Sequence, residues 1–154
     1  MRRLDKEISD RETISEILEK SLVIRIGLVD KNEAYIVPLN YAYNYGTIYI
    51  HSAPEGRKIS LIKKCNLVSF ETELPFQIIK KEVPCQWSAK YRSVMGRGTI
   101  TLENDPQVKK HALDLIMKKY GAETELEYDE KSLSEMIILK LEIISVTGKQ
   151  SGKW

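Results

Sequence analysis

The sequence predicts a mainly β fold of the α+β class: a six-stranded antiparallel barrel with peripheral helices, formed by a single domain over residues 1–154. Three observations point there. Short runs of apolar residues alternate with polar ones at period two, as in half-buried strands. The runs are separated by short turn-rich connections, which favour antiparallel pairing and closure into a barrel. The chain has 154 residues, 42% of them apolar, enough for one hydrophobic core without disulfides or metals.

Ser9 and Glu12 have capping-box spacing. Ile14, Ile17 and Leu18 then recur at helical spacing, so a short amphipathic helix ending near Lys20 is expected to cover a sheet. From Ser21 to Val29, Leu22, Ile24, Ile26 and Leu28 alternate with Val23, Arg25 and Gly27 as a first strand. The polar turn Asp30-Lys31-Asn32 leads to a second strand, Ala34 to Leu39, and Asn44-Tyr45-Gly46 to a third, Thr47 to His51. A helix carrying Ile59, Leu61 and Ile62 follows, then a strand from Leu67 to Glu73. The long strand Tyr91 to Leu102 contains Gly96 and Gly98 on one face, where missing side chains allow strand coiling or a close approach. Asp105 can cap a helix with Pro106 in its first turn, a stripe of Val108, Ala112, Leu115 and Ile116, and an end at Gly121. Glu123 to Lys131 reads as a charged loop with one short turn, and Met136 to Val146 as the last strand. Gly148 to Trp154 is a polar tail whose final aromatic is either frayed or docked.

Composition narrows the function classes. Basic and acidic residues number 24 and 22, for a formal charge of +2 with the signs interspersed, so no nucleic-acid surface is expected. The adjacent lysine pairs at 63–64, 109–110 and 118–119 read as solubilising helix faces. Cys65 and Cys85 have neither CxxC spacing nor a neighbouring His, so no metal site is expected and the thiols read as buried or idle. Met1-Arg2-Arg3 runs on into Asp5, Lys6 and Glu7, and no apolar run approaches the ~20 residues of a membrane span. A cytoplasmic location and no membrane partner are expected.

The stretch His51 to Lys58 is where chemistry concentrates. A helix N-terminus carries partial positive charge, so Arg57 and Lys58 in a first turn conflict with it unless an anion sits there. Arg57 offers a planar fork of donors, Lys58 a point charge and Ser52 a hydroxyl, a set suited to a terminal phosphate. The competing reading is a solvated basic helix, with Ser52 and Glu55 as another capping box. His51 shares a strand face with Thr47 and Tyr49, and either borders a ligand space or caps its strand. In Tyr91-Arg92-Ser93-Val94, alternation sends Tyr91 and Ser93 to one side and Arg92 and Val94 to the other. His111 lies beside its helix's apolar stripe and reads as surface.

Taken in order, Tyr35-Ile36-Val37-Pro38-Leu39-Asn40-Tyr41, Tyr49-Ile50-His51-Ser52-Ala53, Gly56-Arg57-Lys58 and Tyr91-Arg92-Ser93-Val94 resemble the FMN-binding split-barrel superfamily related to pyridoxamine 5'-phosphate oxidase, and within it the nitroimidazole-resistance branch. The match runs from about Asp5 to Lys149. The resemblance implies that Arg57 and Lys58 grip the FMN phosphate. It also implies that the isoalloxazine lies against Val37, Pro38, Leu39 and Asn40, with Ile50, His51 and Ser52 nearby. Tyr91, Arg92, Ser93 and Val94 would then reach the flavin from the partner of a homodimer with shared cofactor sites, and Trp154 would approach from the same side.

The implied activity is an FMN-dependent oxidoreductase that reduces a small acceptor such as a nitroaromatic. Electrons would come from a reduced nicotinamide cofactor, NAD(P)H, or another donor, with His51 as candidate proton donor. The alternative is a non-enzymatic flavin or haem binder, with His51 as an axial ligand. Substrate walls would come from loops near 73–88 and 123–131. Two departures speak against pyridoxamine-phosphate oxidation itself: Asn40 stands where the vitamin-B6 oxidase has a lysine, and its C-terminal substrate-binding segment has no counterpart after Lys149.

Overall fold

The computed structural model describes residues 3–124 and 126–154; Met1 and Arg2 of the N-terminal reading and Glu125 of the charged loop lie outside them. Nine strands form among the described residues: β1 (Glu7–Ile8), β2 (Ile24–Asp30), β3 (Glu33–Leu39), β4 (Ala42–Asn44), β5 (Thr47–Ser52), β6 (Leu67–Glu73), β7 (Gln77–Ile79), β8 (Ser88–Glu103) and β9 (Ile137–Ser151). The helices are α1 (Arg11–Lys20), α2 (Arg57–Lys64), α3 (Pro106–Lys119) and α4 (Glu130–Ser134).

The main sheet runs β3-β2-β6-β8-β9-β5-β4, with β1 on β9 and β7 on β8. Every pairing is antiparallel. The two ends of this path, β3 and β4, are joined only by Asn40 and Tyr41, so the sheet must curl until its ends meet. Its inner face holds one core, including Ile24, Ile26, Phe70, Val94, Ile100, Leu139, Leu141, Ile48 and Ile50, which α1 covers with Ile14, Ile17 and Leu18. This is the split-barrel α+β architecture expected from the sequence, with all six expected strands present and three short ones added.

The differences have local causes. α1 is capped by Asp10, not Ser9: its carboxylate accepts from both the amide and the hydroxyl of Thr13, at 2.8 and 2.6 Å. An anionic acceptor also suits the helix dipole better than a hydroxyl. The first strand begins at Ile24 instead of Ser21. Leu22 and Val23 are exposed, and their carbonyls accept side-chain bonds from Tyr120 and Thr72 instead of entering the sheet. β9 continues five residues past Val146 because the polar Thr147 to Ser151 pair with Tyr91 to Met95. The buried stripe of α3 is Lys109, Ala112, Leu113 and Ile116, rotated from the expected one; Val108 and Leu115 are half-buried. Lys109 tolerates burial by donating to the Leu133 carbonyl of α4 at 2.6 Å. Cys65 and Cys85 are both exposed, which excludes the buried alternative for the thiols.

The glycines of β8 serve close approach. A Cβ on Gly96 would collide with the Phe70 ring and the Ser145 carbonyl, and one on Gly98 with the Glu142 carbonyl. The register shifts between Arg97 and Gly98, leaving Ile144 of β9 as the extra, exposed residue of a bulge that bends both long strands. No helix of the described residues is long and apolar enough to cross a membrane.

Candidate functional site

β5 delivers Ser52 to the start of a short bend that ends in α2. Gly56 occupies the N-cap with φ +112°, a left-handed conformation open to glycine, and no side chain caps the helix. The alternative capping box does not form, because the N-cap is Gly56 and Ser52 lies four residues before it, its hydroxyl donating to the neighbouring Ala53 carbonyl at 3.0 Å. The first-turn amides of α2 are therefore left without a side-chain acceptor, and Arg57 and Lys58 stand beside them.

The two cations are held differently. Arg57 donates from Nε to an Asp30 carboxylate oxygen at 2.9 Å, its Nη2 makes an ion-pair contact with the same oxygen at 2.8 Å, and its guanidinium lies 4.4 Å over the Tyr35 ring. Lys58 is half-buried, and that burial pushes its ammonium below the ordinary lysine value. Among the described residues no carboxylate forms an ion pair with it. A partly desolvated cation without an anion is costly unless an anionic ligand completes it.

β3 is the terminal strand of the main sheet path, which is why Pro38 is tolerated there. Val37 and Leu39 are half-buried on the side of Tyr35, while Ile36, Pro38 and Asn40 are exposed. On β5, Ile50 is fully buried and can offer a ligand only its main chain. Ser52 is buried on the same inner face, and His51 is exposed on the opposite one. That outer face meets α3, where Tyr49 packs edge-on against the exposed His111 at 5.7 Å.

The second cluster sits where β8 and β9 run together. Tyr91, Arg92, Ser93 and Val94 pair with Ser151, Gln150, Lys149 and Gly148. Val94 is fully buried, and Arg92 reaches Gln150 Oε1 at 3.1 Å and Glu16 at 3.8 Å. Trp154 is docked, not frayed: Lys90 and Arg92 approach its ring at 4.3 and 4.5 Å, and its indole N–H donates to the Ser151 carbonyl at 3.0 Å. The structure thus brings Trp154 and Arg92 together.

It does not bring this cluster to Arg57. Leu39, Ile24, Thr72, Val94 and Gly148 lie in one row across the sheet. Asp30, the partner of Arg57, is at the far end of β2 from that row, roughly 20 Å along the strand. Within this chain Arg57 and the strand Tyr91 to Val94 therefore lie toward opposite ends of the sheet, while Leu39 shares the row of Val94. Between them the outer sheet face forms an open cavity of about 600 Å³, lined among others by Arg25, Gly27, Ile36, Met95 and Arg97. Beside it Arg25 pairs with Glu71 at 3.1 Å, yet burial raises the Glu71 carboxyl, with neighbouring Glu73 adding to the rise.

Sequence reasoning missed Asp30 and Tyr35, the residues that hold Arg57, because they sit in a different hairpin. It also missed the outer face, whose signal was Gly27 and Ile36 at positions where a solvated sheet would carry polar side chains.

A family model described as pyridoxamine 5'-phosphate oxidase matches residues 10–150. Among solved structures, the chain is similar to a candidate 5-nitroimidazole antibiotic resistance protein from Bacteroides thetaiotaomicron, with 30% identity over 93% of this chain and 85% of that one and a TM-score of 0.84. It shares its fold with the flavocytochrome Anf3 from Azotobacter vinelandii, at 18% identity, 99% and 72% coverage and a TM-score of 0.85. The same holds for an FAD and heme binding protein from Mycobacterium smegmatis, at 19% identity, 97% and 75% coverage and a TM-score of 0.85. No curated protein matches. The family match over nearly the whole chain, joined to the split-barrel topology, makes this chain a member of the pyridoxamine 5'-phosphate oxidase family.

Proposed function

We propose that the chain is an FMN-dependent oxidoreductase that works as a cytoplasmic homodimer and reduces a small acceptor of the nitroaromatic class. The observation that carries this reading is Lys58, a half-buried cation with no ion-pair partner among the described residues, beside Arg57 at a helix start that no side chain caps. A phosphate dianion fits that donor set: a guanidinium fork, an ammonium and open first-turn amides.

FMN bound there supplies the electron-transfer chemistry, fed by a reduced nicotinamide cofactor or another donor. The chain's share is binding and orientation. Arg57 and Lys58 hold the phosphate, and main-chain groups of Val37, Pro38 and Leu39 on β3 and of Asn40 just after it orient the ring edge. Ile50 contributes main chain, and Ser52 a hydroxyl. His51 holds a proton for the acceptor from the outer face of β5. Because Tyr91 to Val94 and Trp154 lie far from Arg57 in one protomer, a second copy supplies them to the site. Similarity to the candidate nitroimidazole-resistance protein supports the choice of acceptor.

The test is reconstitution with FMN, followed by NAD(P)H-driven reduction of a nitroaromatic. Tight FMN binding with turnover is expected, and His51→Ala should slow acceptor reduction at least about tenfold while FMN still binds. Protein that binds no flavin, or purifies with a haem Soret band instead, defeats the reading. An unchanged rate and pH profile in His51→Ala removes that residue from the mechanism.

A further inference from the structure

We infer that Asp30 and Tyr35 are positioning residues that set Arg57 for a terminal phosphate and so determine how strongly the site prefers a phosphorylated flavin over its unphosphorylated form. This rests on the proposed reading of Arg57 as a phosphate ligand.

The argument begins with the hairpin between β2 and β3. Asp30 pairs with Glu33, which leaves Lys31 and Asn32 as a two-residue loop with φ values of +50° and +67°. Two left-handed residues in sequence match the strand twist and make a rigid connection. Asp30 ends β2 at this turn, and Tyr35 starts up β3 just beyond it. Together they present a carboxylate and an aromatic face to one point above the sheet.

Arg57 occupies that point. One Asp30 oxygen accepts from Nε and pairs with Nη2 at 2.8 Å, and the Tyr35 ring covers one face of the guanidinium at 4.4 Å. The Asp30 side chain is 20% exposed, which sets this contact apart from a fully solvated pair, although the Arg57 side chain is 55% exposed. An unrestrained arginine would lose its rotamer freedom on meeting a ligand, whereas this one is already ordered. The Asp30 contact uses the Nε hydrogen, which leaves the Nη donors for a bidentate phosphate contact. Among the described residues Lys58 makes no ion pair, and it acts as a point charge.

A surface ion pair with no role beyond the fold predicts something different. Losing it would weaken every flavin equally, whereas loss of a positioning device weakens only ligands that carry the phosphate. The experiment therefore titrates FMN and riboflavin into wild type, Asp30→Ala, Tyr35→Leu and Tyr35→Phe by flavin fluorescence. Wild type should prefer FMN. Asp30→Ala and Tyr35→Leu should each cut that preference about fivefold with riboflavin affinity unchanged. Tyr35→Phe, which keeps the ring, should restore it. A preference unchanged in both variants overturns the inference, as does a parallel loss of both ligands. So does a rise in FMN affinity in Asp30→Ala, which would make the carboxylate a competitor of the phosphate. Wild type that does not distinguish FMN from riboflavin defeats the phosphate reading itself, and the inference with it.

Discussion

Arg92 lies over the Trp154 ring, the guanidinium carbon 4.5 Å from the indole centroid, which holds Trp154 against the strand expected to reach a partner's cofactor. Lys90 closes the other contact at 4.3 Å, so the ring is held by two cations. Each such contact contributes about 0.5–1 kcal/mol at an exposed site, enough to order a terminus that would otherwise fray.

If that strand and Trp154 serve the shared site, Trp154 must report on its occupancy. Trp87 and Trp154 are the two tryptophans of the chain. In a Trp87→Phe background the remaining indole emission should be strongly quenched by saturating FMN, and the quenching should weaken as the dimer is diluted. Emission indifferent to FMN would separate Trp154 from the cofactor.

Lys119 makes a pH-dependent contribution to stability. Its ammonium donates to the Leu18 carbonyl at 3.1 Å and lies 3.4 Å from the Tyr41 ring centroid, and burial pulls it down to about 8. A lysine depressed in the fold is charged at a cost below its folded value, and that cost is relieved as pH rises toward the unfolded value near 10.5. Between those pH values the unfolded chain binds more protons, so stability should increase. With the group partly solvated, the gain is on the order of 1 kcal/mol. Urea unfolding at pH 7.5 and 9.5 should show it in wild type and not in Lys119→Met; equal pH responses would refute the assignment.

Much of the barrel was legible in the sequence, and the exceptions are instructive. The strand from Leu67 to Glu73 and the helix face of Ile59, Leu61 and Ile62 emerge where expected, because burial on one face imposes a clean period. Gly148 to Ser151 read as part of a polar tail because their sequence hides a fully paired backbone. Short strands such as Ala42–Asn44 contain too few residues to show a period. At the candidate site, the charge conflict of Arg57 and Lys58 was readable from local order alone. The clasp of Asp30 and Tyr35 on Arg57 was not, since it depends on how α2 lands on a distant hairpin.

Gly96 has no room for a side chain on β8. Gly96→Ala should destabilise the protein by roughly 1–3 kcal/mol, since the new methyl meets the Phe70 ring and a strand carbonyl. Gly27→Ala should be nearly neutral, its nearest neighbour being 3.7 Å away. Denaturant midpoints of the two variants decide the matter; similar losses in both would contradict the packing account.

The account stands or falls on the anion at the start of α2. The direct measurement is FMN affinity of the double variant Arg57→Glu/Lys58→Glu at low and high ionic strength. Two charged contacts predict a loss of at least about a hundredfold, together with disappearance of the salt sensitivity that wild type should show. Affinity and salt dependence equal to those of wild type would contradict it.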